Sequence, residues 1–221
     1  MMRRDLIGIG LFIFLLTPMI TRPDPAIAET TKRVSIELHI ELSKRILVVY
    51  VNHTPYKTYP VALGKPETPT PIGNWLITNK SKDWGGGFGT RWLGLNVPWG
   101  IYGIHGTNRP SSIGNYASNG CIRMHNHDIE ELYNFVHVGV PVFIPGNPLA
   151  HPRNLAVGDI GADVQLVQLR LLHFGFYHGT CNGRFEQTTE QALKAFEKAH
   201  GLPVDGIVGR KDYQLLGLIE S

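Results

Sequence analysis

Cysteine is scarce in this chain: its 221 residues contain two, Cys121 and Cys181. That number excludes the disulfide-dense scaffolds of small secreted domains, and a single bond between the pair is the plain alternative. The two lie in different candidate domains and different sequence contexts. Separate thiols are therefore expected, with Cys121 available for chemistry and Cys181 a loop residue without a role. Charge of one sign is scarce too, since the formal net charge is +3 and no run or stripe of lysine and arginine occurs. Nucleic acid is thereby excluded as a partner, whereas an anionic surface is not. No apolar stretch reaches the roughly 20 residues that a membrane-spanning helix needs. The HExxH pattern of zinc peptidases is also missing. What remains, 43% apolar and 18% charged, is the composition of an ordinary globular protein, with room for one large domain or two small ones.

The N-terminus reads as an address. Arg3 and Arg4 precede an apolar run over residues 6–20, and Ala26-Ile27-Ala28 places small residues at alternate positions, as a signal peptidase requires. A leader over 1–28 with cleavage before Glu29 is expected, which sends the rest outside the cell; a retained anchor is the alternative. The Arg3-Arg4 pair also admits a twin-arginine reading, but the strongly apolar run favours general export.

Residues 34–92 form a series of short extended segments. Val34, Ile36, Leu38 and Ile40 alternate with polar residues, 46–51 is β-branched, and 56–63 and 73–78 follow at spacings of about ten. One helix is expected afterwards, with Asn126 as N-cap, Asp128 and Glu130 in its first turn, Ile129, Leu132 and Val136 on one face, and Gly139 as its stop. An apolar strand over 140–144 leads into a proline-rich linker. Beyond it the period becomes helical. Val164, Val167, Leu171 and Phe174 share a face ended by Gly175, Thr188 to Gln191 reads as a capping box before Leu193 and Phe196, and a short helix follows over 212–218. The turns Asn182-Gly183 and Asp205-Gly206 stand 23 residues apart as a weak repeat. The expected domains are a leader over 1–28, a mostly β catalytic domain over 32–146, a linker over 147–153 and a helical module over 154–221.

The densest cluster of chemistry-bearing residues covers 104–126. His105 ends an expected strand, and Cys121 follows 16 positions later behind Ser118-Asn119-Gly120. A nucleophilic cysteine needs a thiolate, and a histidine within hydrogen-bond reach makes one by holding the proton as imidazolium. Glycine before the cysteine lets a substrate carbonyl approach bare backbone, whose N–H groups can hold the oxyanion of acyl transfer. By spacing alone, a disulfide half-cystine and a packed core histidine remain open alternatives. If the dyad exists, the Cys121 thiol is expected below the free value of about 8.5 and to alkylate before Cys181.

The whole segment resembles the L,D-transpeptidase family, whose mark is a histidine followed at this distance by Ser-x-Gly-Cys, an apolar residue, Arg and a nearby Asn. Here these are Ser118-Asn119-Gly120-Cys121-Ile122-Arg123 and Asn126. Thr68-Pro69-Thr70-Pro71-Ile72-Gly73 and the run from Ile101 to Gly106 fit the same family, so the resemblance spans 34–145. Many members carry histidine where this chain has Asn119. The resemblance implies an α+β multidomain protein with a sandwich-like, mostly β catalytic domain. It also implies a reaction in which Cys121 attacks the third residue of a peptidoglycan tetrapeptide stem and expels D-alanine. The acyl group then passes to the side-chain amine of another stem, giving a 3→3 cross-link, or to water, as in an L,D-carboxypeptidase. By the same analogy His105 is the base and the Gly106 carbonyl orients it in place of a triad carboxylate. Ser118, Asn119, Gly120 and Arg123 serve the oxyanion and substrate, with Arg123 either binding a carboxylate or bracing the loop. Trp84, Trp92, Trp99 and Tyr102 are candidates for lining the groove, and susceptibility to carbapenem-type β-lactams is implied.

Residues 154–218 resemble the three-helix peptidoglycan-binding domain of wall hydrolases, carried by Leu155 to Val164, Gln168, Asn182-Gly183, Phe196 and Asp205 to Gly209. Glu197 replaces the usual glutamine and Asp212 a common threonine cap. Together these resemblances imply a secreted, monomeric bacterial cell-wall enzyme whose partners are stem peptides and glycan, with membrane contact only through an uncleaved leader, and without metal or organic cofactor. A zinc hydrolase using His105, His125, His127 and Asp128 is the first competitor, but His125 to Asp128 reads as a helix start. Papain-like enzymes reverse the order of cysteine and histidine, and sortases separate them further. A non-catalytic wall-binding protein with a relic first domain is the remaining alternative, against which the intact His105 and Cys121 argue.

Overall fold

A computed structural model describes residues 34–220. The expected leader, its arginine pair and its cleavage site lie outside the described residues. Among the described residues no helix is long and apolar enough to cross a membrane.

Strand β1 (Ile36–Glu41) turns its alternate residues Leu38 and Ile40 into the core. It pairs antiparallel with β2 (Ile46–Val51), Leu38 opposite Val49. The next strand, β3 (Thr54–Pro60), begins two residues before the extended stretch expected over 56–63. Asn52 and His53 both take positive φ, 50° and 62°, so a two-residue turn of the twist-matching kind closes the hairpin at Val51 and Thr54. After the short β4 (Leu63–Gly64) come β5 (Gly73–Lys82), β6 (Arg91–Leu95) and β7 (Tyr102–His105), three antiparallel neighbours. Then β8 (Tyr116–Ser118) forms a parallel ribbon with β4, and β9 (Ile122–Arg123) adds parallel to β7 at the sheet edge.

Helix α1 (Asn126–Phe135) follows. Its N-cap is His125, not Asn126, whose side-chain oxygen instead accepts from the Thr107 N–H at 3.0 Å, tying the helix start to the strand that carries His105. The helix ends before Gly139. Val136 is an extended, buried C-cap residue, and Lys80 donates its ammonium to the carbonyls of Tyr133 and Val136, where the helix dipole favours a cation.

The last strand, β10 (Pro141–Ile144), inserts between β1 and β5, parallel to one and antiparallel to the other. The order is β3-β2-β1-β10-β5-β6-β7-β9, one curled sheet of eight strands. Its core, including Leu38, Leu47, Ile77, Leu93, Ile104, Ile122, Ile129, Leu132 and Val142, is almost wholly withdrawn from water. Each such side chain is worth about 1.5–3 kcal/mol.

A second core belongs to the helical module: α2 (Ala162–His173), α3 (Gln187–Ala199) and α4 (Arg210–Leu215). Val164, Val167 and Leu171 of α2 are buried there, but Phe174 is 41% exposed beyond the helix end. The capping-box reading of Thr188 to Gln191 does not hold. Glu186 caps α3, and Thr189 is fully buried inside it, its hydroxyl accepting from Gln168 Nε2 at 3.0 Å. Asp212 does cap α4, accepting from the Gly209 N–H at 2.8 Å. The repeat is real in three dimensions, because Arg184 and Val208 each form a bridge to the segment that opens the module, at Ile160 and Leu155.

Candidate active site

The site is built on the edge of the sheet. In the parallel pair β7 and β9, Ile104 faces Ile122 and His105 faces Arg123. Side chains alternate across a strand, so Cys121, Arg123 and His105 share one face, opposite the buried Ile104 and Ile122. On the other side of β7, Trp92 pairs with His105 and shares that face as well. Its indole stacks on the imidazole, centroids 5.6 Å apart at 25°, Phe88 meets the same ring edge-on at 4.9 Å, and Trp84 covers Trp92 at 4.1 Å. Trp84, Phe88, Trp92 and Ile101 line a groove of about 320 Å³ that ends on Cys121.

His105 is 2% exposed, and Nδ1 donates to the Gly106 carbonyl at 2.5 Å. Burial pushes its pKa down to about 4, with the Arg123 charge adding to the effect and the Gly106 and Phe88 carbonyls opposing it. The ring is neutral at pH 7. Burial pushes the Cys121 thiol up from its ordinary value, against the Gly103 backbone and Arg123. The expectation of a depressed thiol is thus reversed, because a groove walled by aromatic rings disfavours a bare thiolate. Cys121 Sγ lies 3.9 Å from the Ile101 carbonyl, and no hydrogen bond joins it to His105 among the described residues. Cys121 and Cys181 are both free.

The loop before the nucleophile is tightly held. Ser118, 1% exposed, donates its hydroxyl to the Cys121 carbonyl and accepts from the Gly120 N–H at 3.1 Å. That amide is therefore already engaged, contrary to the expectation that it waits for an oxyanion. Gly120 has φ +106°, and a Cβ there would stand 2.6 Å from Tyr102 Cε1, so no other residue fits without displacing the ring. Asn119 is exposed. Arg123 exchanges backbone hydrogen bonds with Ala62 at 2.9 Å and donates from Nη1 to the Ala117 carbonyl at 3.3 Å, so it braces the loop.

Of the aromatics singled out by sequence, Trp84 and Trp92 line the groove, whereas Trp99 is 4% exposed and packs edge-on against Trp75. Phe88 and Ile101 went unnoticed. Ile101 is 79% exposed, an apolar residue in water directly beside a histidine strand, and no periodicity in the sequence signals that. Among the described residues no three His, Cys, Asp or Glu side chains gather as a metal-holding set; His125 and His127 stack on each other at 5.5 Å, and His127 pairs with Asp128.

These features meet known proteins at one point. A family model described as the L,D-transpeptidase catalytic domain matches residues 35–144. The YkuD protein of Bacillus licheniformis, named as an L,D-transpeptidase, is 42% identical over 130 residues, covering 59% of this chain and 73% of that protein. The chain belongs to the L,D-transpeptidase family. YkuD of Bacillus subtilis is 46% identical over 112 residues, 50% of this chain and 67% of that protein. Among solved structures, L,D-transpeptidase 3 from Mycobacterium tuberculosis is similar with a TM-score of 0.47 at 17% identity, covering 51% of this chain and 62% of that one. A family model described as a peptidoglycan binding domain matches residues 160–216, on the C-terminal side of the catalytic domain.

Proposed function

We propose that the chain is a cysteine-dependent peptidoglycan L,D-transpeptidase acting outside the cell, with Cys121 as nucleophile and His105 as base. The observation that supports this reading is the shared face of β7 and β9, on which His105 lies opposite Arg123, two residues after Cys121, beside the aromatic groove that Cys121 lines. With Nδ1 donating to the Gly106 carbonyl, Nε2 of the neutral ring holds the lone pair.

The thiol at rest is protonated, so proton transfer accompanies attack instead of preceding it. A side-chain rotation brings Sγ to His105. Sulfur then bonds to the carbonyl carbon of the third, L-centred residue of a tetrapeptide stem while Nε2 takes the thiol proton. The Cys121 N–H would hold the developing oxyanion, since the Gly120 N–H is committed to Ser118. As the tetrahedral intermediate collapses, the bond to D-alanine breaks and His105 returns the proton to the leaving amine. A side-chain amine of a second stem, or water, next attacks the thioester carbonyl, loses a proton to His105, and releases Cys121 as thiol.

In this reading Arg123 and Ser118 hold the loop, Asn119 faces solvent where substrate passes, and the module over 154–221 keeps the enzyme on its polymer. The leader over 1–28, the linker over 147–153, a monomeric state and the absence of a cofactor belong to the same proposal. Incubating the protein with tetrapeptide-bearing muropeptides, with and without an acceptor stem, and following D-alanine release by mass spectrometry tests it. Release by the wild type and none by Cys121→Ala is the expected result; equal behaviour of the two would overturn the assignment.

A further inference from the structure

The helical module is joined to the catalytic domain by more than the chain between them. The loop between α2 and α3 reaches across to the segment before β7. Arg184 donates from Nη2 to the Trp99 carbonyl at 2.7 Å. Gly183, at φ +66°, lies so close under the Trp99 indole that a Cβ would come within 2.4 Å of Cε3, leaving room for glycine alone. This loop is rigid on its own side as well. Gln168, fully buried in α2, accepts from the Gly183 N–H at 2.8 Å and donates to the Arg184 carbonyl at 2.8 Å.

The contact continues toward the sulfur. Trp99 is followed by Gly100, where a Cβ would stand 2.6 Å from Cε2 of the Tyr102 ring; on the ring's other edge Gly120 presses equally close, at 2.6 Å from Cε1. Tyr102 is thereby held between a segment that the module grips and the residue just before Cys121. Its hydroxyl feels both neighbours: burial and Cys121 push its pKa up, while Trp99 and Arg184 pull it down.

We propose that the module is part of the active site's framework, and that Arg184 is a positioning residue which, through Trp99, Gly100 and Tyr102, sets the backbone at Gly120 and hence the aim of Cys121. The kinetic half of this inference rests on the proposed transpeptidase function; the thiol-reactivity half does not. Arg184 is exposed, so its replacement is compatible with folding.

The test uses the full chain as wild type, Arg184→Ala and Arg184→Lys, with folding checked by circular dichroism. Two quantities are read. One is kcat and KM for D-alanine release from a free tetrapeptide stem without glycan, which anchoring to the wall cannot influence. The other is the rate of Cys121 alkylation by iodoacetamide. A misplaced nucleophile should lower kcat by about tenfold in Arg184→Ala with KM nearly unchanged, and shift alkylation by several-fold. Arg184→Lys, which keeps a donor for the Trp99 carbonyl, should recover most of both. Wild-type kcat and alkylation in Arg184→Ala, or a change confined to KM, would overturn the proposal. Should the wild type release no D-alanine, the functional reading fails, and the alkylation comparison still decides the positioning role.

Discussion

The ring of Phe88 stands edge-on to the imidazole of His105, centroids 4.9 Å apart, and closes the groove over the base. Phe88 itself is only half-buried, so removing its ring costs little packing while admitting water to the histidine. In Phe88→Ala the His105 pKa should rise from about 4 toward the ordinary 6.5. An NMR titration of the imidazole protons reads this directly, and an unmoved midpoint would mean that the other walls alone keep the ring dry.

Cys121 should alkylate increasingly fast as pH rises well past the free-thiol value of about 8.5, because burial pushes its thiol up and only the thiolate reacts. A rate that levels off near pH 7 would indicate a preformed thiolate and imidazolium pair. Mass spectrometry of alkylated peptides separates Cys121 from Cys181, which burial also pushes up.

Gly120→Ala should lower kcat by at least tenfold while leaving the fold in place. The substitution meets a φ of +106° and a Tyr102 carbon 2.6 Å away, so the loop must shift by a good fraction of an ångström where the nucleophile is aimed. Backbone strain of this kind costs on the order of 1–3 kcal/mol, which thermal melting should detect. Ser118→Ala removes the brace between Gly120 and Cys121 without strain, and is expected to act in the same direction more weakly.

The helical module carries a buried acid. Glu197 is fully withdrawn from water, accepts from the Gly206 N–H, and has a pKa pushed up to about 7 by burial, with Asp212 and Asp205 adding to the effect. The folded state therefore binds this proton more tightly than the unfolded chain does. Its contribution is fully present below the unfolded value of about 4.5 and is lost as pH rises through about 7. Thermal melts should show stability falling across that window by on the order of 1 kcal/mol from this group, and no further above it. Glu197→Gln keeps an acceptor for Gly206 and should flatten the decline. A decline identical to the wild type would place its origin elsewhere.

The candidate site was legible through its resemblance to the L,D-transpeptidase family, since spacing alone left a half-cystine and a packed histidine open. Ser118-Asn119-Gly120-Cys121 behind His105, together with the Thr68 to Gly73 turn, carry that resemblance, and the acyl-transfer reading comes with it. Alternation in β1 and helical spacing in α2 assign the buried faces, apart from Phe174, which stays exposed beyond the helix end. Asn126 and Thr189 show where local rules stop: both have side chains suited to capping, yet each is used by a distant partner, Thr107 in one case and Gln168 in the other. A buried donor elsewhere in the fold outweighs a cap worth about 1 kcal/mol.

From the amino-acid order alone come the division into a β-rich and a helical part, the family resemblance, and Cys121 and His105 as candidates for nucleophile and base. Tertiary structure decided that β10 enters the middle of the sheet, that Phe88 and Ile101 wall the groove, that Arg184 grips Trp99, and that the thiol is raised instead of lowered. The physical reason is the same in each case. Periodicity tells which side of an element is apolar but not which element it will meet, and an ionisation state follows the dielectric and charges that folding assembles from remote segments.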